Sequence, residues 1–143
     1  PIVLLALTLF VAIERFGVDV VLHQVVRELR HVFKQCTLIS YSIEFLRSAR
    51  RNGYPSIGVI LEKWRHRHLE SVRAMHPEFF FCDAVDLPRW GRLRAPADGR
   101  LAVYEITDAR TAIHLAERGA DLIETFAVGE MLADFELLRT APA

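Results

Sequence analysis

Six short apolar runs, rich in β-branched and aromatic residues, recur along the chain at a nearly even pitch. They are "LFVAI" at 9–13, "TLIS" at 37–40, "IGVIL" at 57–61, "FFFC" at 79–82, "LAVYEI" at 101–106 and "DLIET" at 121–125. Their start-to-start steps are 28, 20, 22, 22 and 20 residues. Each run is almost continuously apolar, the pattern of a strand covered on both faces. Steps of this length leave room for one helix between strands. Residues 18–34 place Val20, Val21, Gln24, Val25, Glu28, Leu29 and Val32 at three- and four-residue steps, one helical stripe. Ser42 is placed to cap "IEFLRSARR", and Asn52-Gly53 to stop it. Thr107 or Asp108 opens a further helix with Ala112, Ile113, Leu115 and Ala116 on its apolar side, and Gly119 ends it. "HLESVRAMH" reads as a short helix before Pro77. Residues 84–100, with Pro88, Gly91, Pro96 and Gly99, read as loop with little helix.

Strand and helix in alternation make an α/β chain with a parallel sheet. A doubly wound sheet of the nucleotide-binding kind carries a glycine-rich phosphate turn, and no GxGxxG or GxxxxGK[ST] is present. A (β/α)₈ barrel keeps its chemistry in single residues at strand ends and needs no such turn. The expectation is a parallel TIM-barrel type, incomplete, with about six of eight βα units in one domain over 1–143. Open edges are then expected at "LFVAI" and "DLIET", inviting self-association, with the apolar "PIVLLAL" available to cover one of them.

Eighteen basic residues balance eighteen acidic ones, so no net field gathers nucleic acid or anionic membrane, and no aromatic ladder accompanies the arginines. The opening thirteen uncharged residues are too few to span a bilayer and lack a basic leader. Cys36 and Cys82 form neither a disulfide framework nor a metal spacing; they read as apolar fillers in a reducing compartment, taken here as the cytoplasm.

Residues at or just past the strand ends are Glu14 and Arg15, Ser40 and Tyr41, Glu62 and Lys63, Asp83, Tyr104 and Glu105, and Glu124 and Thr125. A ring of carboxylates at one barrel mouth suits a hard divalent cation such as Mg²⁺ or Ca²⁺. The same acids also serve as caps for the following helices. His66 and His68, two apart, face different ways on a helix and make a poor metal pair. Trp64 and Trp90 either pack or line a cleft. Ser40 lies in no nucleophile elbow.

Two stretches go further. "LISYSIEFLRSARRNGYPSIGVIL" and "LAVYEITDARTAIHLAERGADLIET" resemble the second half of glycerophosphodiester phosphodiesterases. In that family a strand ending in Ser plus an aromatic precedes an "EFLRSAR"-like helix, and an aromatic-rich strand and Asp-capped helix lead to the last strand. The resemblance runs over roughly residues 9–132. It implies a (β/α)₈ barrel of lipid metabolism that hydrolyses glycerophosphodiesters with a divalent cation. The family's His-Arg-Gly, its Glu-x-Asp and its second His are absent from this sequence, and the resemblance puts them upstream of Pro1 in a longer parent.

The family strand ending hydrophobic-Glu-hydrophobic-Lys falls on "VAIER". Its metal-ligand position becomes Ala12 and its lysine position becomes Glu14. An alanine cannot ligate, and a glutamate reverses the charge beside a phosphate. Tyr104 stands where the resemblance expects an aromatic, usually Trp, and Glu124-Thr125 stands for a Thr-Asp pair. The chain is therefore expected to keep the scaffold without an intact catalytic set. Two alternatives stay open: a non-catalytic binding or regulatory module derived from a barrel, and an isomerase- or aldolase-like barrel using Lys63.

Overall fold

The computed structural model describes residues 3–5, 17–29 and 31–140. Six strands, β1 (Val3–Leu5), β2 (Cys36–Ser40), β3 (Ile57–Leu61), β4 (Phe79–Asp83), β5 (Arg100–Tyr104) and β6 (Leu122–Ile123), form one sheet in chain order. Every neighbouring pair is parallel. The strand expected at 9–13 lies outside the described residues, as do Ala12, Glu14 and Arg15. The place beside β2 is held by β1, with Val3 opposite Cys36 and Leu5 opposite Leu38. β5 stops at the aromatic Tyr104 because Glu105 adopts φ +63°, a left-handed turn that ends the extended run. β6 is only two residues long, although the Glu124 N–H still bonds the Val103 carbonyl at 2.8 Å.

Among the described residues, five α-helices accompany the sheet: α1 (Val18–Leu29), α2 (Ile43–Arg51), α3 (Glu70–Arg73), α4 (Ala109–Arg118) and α5 (Val128–Thr140). Ser42 caps α2, its hydroxyl accepting the Phe45 N–H, and Asp108 caps α4, accepting the Thr111 N–H. Both caps match the sequence expectation. Two stripes are corrected. In α1 the inward residues are Leu22, Val25, Val26 and Leu29, while Val20 and Val32 are exposed. The winning face has the full i, i+3, i+4, i+7 spacing, and Val32 falls beyond the helix end. In α4 the inward line is Ala109, Ala112 and Leu115, three apart, which turns Ile113 and Ala116 outward.

One face of the sheet packs on the helices. Leu38, Val59, Leu61, Phe80, Cys82, Leu101 and Val103 meet Phe45, Leu46, Val72, Ala112 and Leu115 in the main core. Fully burying a large side chain of this kind contributes roughly 1.5–3 kcal/mol. At the N-terminal ends of β3 and β4, the Arg50 guanidinium gathers the loops. It donates to the carbonyls of Tyr54, Pro55, Met75 and His76 and to both oxygens of Glu78, and Glu78 accepts the Ile57 N–H at 2.8 Å.

No α-helix joins β4 to β5. A short 3₁₀ turn, Ala84–Asp86, leads into an irregular strap over 87–99. Leu93 is the strap's buried peg. Its N–H bonds the Arg118 carbonyl at 2.7 Å, and the Arg118 side chain donates to the carbonyls of Gly91 and Pro88. Gly119, at φ +114°, lies so close to the strap that a Cβ there would collide with the Leu93 carbonyl oxygen.

Candidate functional site

All six strands being parallel and in order, their C-terminal ends share one edge of the sheet, the edge on which barrel enzymes place their chemistry. Strand alternation then decides which rim residues can meet. Ile39, Gly58, Phe79 and Phe81 lie on the face away from the helices, and register carries it on through Ile60, Ala102 and Leu122. Ile39, Phe79, Phe81 and Ala102 form a second, smaller core there, with Ile60, Tyr104 and Leu122 packed against it. Gly58 shows how crowded this face is. A Cβ there would come to 2.7 Å from the Phe81 ring and 3.0 Å from the Ile39 Cγ2.

Asp83 and Tyr104 continue this face to its rim, opposite one another in register. Tyr41, just past β2, acts electrostatically on Tyr104. The two strands are three steps apart, about 14 Å in a flat sheet. Phe81 and Ile60 belong to the same face. Burial, the neighbouring Tyr41 and the negative charge of Asp83 all push the Tyr104 hydroxyl well above the usual phenol range. It therefore stays a hydrogen-bond donor at any physiological pH.

The remaining sequence candidates divide. Glu62 is exposed just past β3, and Glu124 is half-buried just past β6. Ser40 registers with Val59, a main-core residue, and so belongs to the helix side; its hydroxyl accepts the Ser42 N–H at 3.0 Å. Lys63 donates to Asp86 at 2.6 Å, and that bond and charge raise its pKa. Glu105 is exposed on its left-handed turn. Asp83 also accepts the Val85 N–H at 2.9 Å, so the capping and rim readings of this acid hold together. Trp64 is buried under the Arg67 guanidinium, which sits 4.0 Å over its ring, whereas Trp90 is 86% exposed. Cys36 and Cys82 are buried, and burial together with Asp86 and Asp83 pushes the Cys82 thiol up to about 12.

Among the described residues, no group of three or more His, Cys, Asp or Glu side chains comes close enough to hold a metal ion. The acids of the rim are spread round it instead of converging. Glu14, a further acid expected at the rim, lies outside the described residues. Also among these residues, no helix is long and apolar enough to cross a membrane. Sequence reasoning placed Tyr41 at a strand end but did not link it to Tyr104. The signal available was its parity with Ile39.

No protein-family model matches the chain, and no curated protein does. Among solved structures the chain is similar to QR15, an aldolase, with a TM-score of 0.55 at 19% identity, over 85% of this chain and 67% of that one. The fold is an incomplete β/α barrel. At this identity the likeness speaks for architecture and not for chemistry.

Proposed function

We propose that the chain is the C-terminal portion of a glycerophosphodiester phosphodiesterase-like hydrolase, and that these residues alone do not turn over a phosphodiester. The observation that carries this reading is the strand-end rim. Tyr104, at the strand end where the family resemblance expects an aromatic, is flanked by Tyr41 and Asp83 over an apolar floor. A phenol locked as a donor, beside a carboxylate that accepts, is suited to holding hydroxyl and phosphoryl oxygens of a polar ester. What such hydrolysis needs besides is a proton donor for the leaving alkoxide and a partner base. The sequence has neither family histidine motif.

The test is direct. The chain is incubated with glycerophosphocholine and Mg²⁺ or Ca²⁺, and phosphorus NMR follows the diester. The expected result is no release of glycerol 3-phosphate above the buffer blank. Turnover that needs the cation and stops with EDTA would overturn the second half of the proposal. The first half rests on the upstream reading frame of the parent, where His-Arg-Gly followed by Glu-x-Asp is expected; their absence favours the non-catalytic module. Schiff-base chemistry at Lys63 gains no support. It requires a lysine held below its usual pKa, and the ion pair with Asp86 acts in the opposite direction.

A further inference from the structure

The strap between β4 and β5 carries a patch that the proposed site does not use. Trp90 is 86% exposed, the most exposed large apolar side chain described, on a segment that reads "PRWGRLR" over 88–94. Arg89, Arg92 and Arg94 are all exposed beside it. None of the three forms an ion pair among the described residues, and no acid lies between Asp86 and Asp98. Asp86 is itself neutralised by Lys63. A tryptophan left in water is disfavoured, and the strap gains nothing for the core by presenting it: the buried peg is Leu93. The segment is also well anchored, by Leu93, by the Arg118 bonds to Pro88 and Gly91, and by Gly119.

We propose that this strap is a docking surface for an anionic lipid bilayer, with Trp90 at the headgroup level and Arg89, Arg92 and Arg94 as its charge partners. Tryptophan favours the membrane–water interface, where its ring is apolar and its N–H still finds a partner. Each basic side chain near an anionic leaflet strengthens partitioning roughly fivefold. The neutral total charge of the chain does not oppose this, because in physiological salt a charge is felt over only about 8–10 Å. A single aromatic with no second stacking platform beside it suits a bilayer better than a run of bases. The strap lies against the last turn of α4, which leads back to the start of β6. Docking there leaves the opposite edge, with Asp83 and Tyr104, open to water, as a water-borne substrate requires.

The experiment sediments the whole chain with vesicles of phosphatidylcholine alone or mixed with phosphatidylglycerol, and reads tryptophan emission in parallel. Trp64 is already buried, so a blue shift and protection from acrylamide report Trp90. The expected result is binding to the mixed vesicles, weakened by salt, with shifted emission and little binding to phosphatidylcholine. Replacing Arg89, Arg92 and Arg94 together by glutamine should weaken binding on the order of 100-fold, and W90A about tenfold. Four results would overturn the proposal: no binding of the wild-type chain to mixed vesicles, binding with unshifted emission, equal binding to neutral vesicles, or tighter binding to a single-stranded oligonucleotide. Undiminished binding by both variants would also overturn it. Should either variant lose its fold, the emission and quenching of the wild-type chain decide alone.

Discussion

Two buried side chains, Tyr54 and Cys82, and the half-buried Tyr104 hold their protons more tightly than they would in an unfolded chain. Burial takes Tyr54 from 10.0 to about 12, helped by the charge of Cys36, and takes Cys82 from 9.0 to about 12, helped by Asp86 and Asp83. Tyr104 moves in the same direction. For an acid whose folded pKa is raised, the unfolded chain loses its proton first as the pH rises. The contribution to stability is therefore complete below pH 9 and is lost between pH 9 and 12. Thermal unfolding over that range should show the midpoint falling steadily, with the fall beginning at the thiol. Cys82→Ala should flatten the early part of the curve. A midpoint that stays level from pH 9 to 12, with the chain folded, would show that these groups are hydrated instead of buried.

Among the elements, Arg50 on the last turn of α2 ties three pieces of chain together: the α2–β3 turn, the approach to β4, and β3 itself through Glu78. The pair is partly exposed, 30% for Arg50 and 40% for Glu78, so water screens the charges and the bonds to carbonyls matter more. Arg50→Ala should cost about 2–3 kcal/mol in urea unfolding, and Arg50→Lys somewhat less, since an ammonium keeps the charge without the fork. A loss under about 0.5 kcal/mol would place the clamp among ordinary surface contacts. How legible each element was follows from its environment. β2 to β5 could be read from sequence because burial on both faces leaves an unbroken apolar run. α5 could not, because Met131 and Leu138 point inward while Val128, Leu132, Phe135 and Leu137 are exposed, so apolar residues surround the helix and no stripe stands out. At the rim, alternation separates Asp83 and Tyr104 from Ser40, and Lys63 is withdrawn by its ion pair. The nearness of Tyr41 to Tyr104 depends on strand pairing carried across three steps of the sheet, which no local pattern encodes.

At the scale of the molecule, the sheet of described strands runs from β1 to β6, and among the described residues no further strand pairs with either outer side. Beside β6, Val128, Leu132 and Phe135 leave an apolar line on the outer side of α5, spaced four and three residues apart. Open edges and uncovered stripes of this kind promote association. Sedimentation equilibrium should find the chain associating as its concentration rises, and Leu132→Glu should weaken that association about tenfold, roughly 1.4 kcal/mol. A monomer at every concentration would mean that the edges are already covered. The order of the strands carries a different consequence. Each one lies beside the strand made just before it. During synthesis every new unit can settle on a surface already finished, and loop-closure entropy stays small throughout. A ring must wait for its last stave to find its first; an arc grows one stave at a time, in the order the ribosome delivers them.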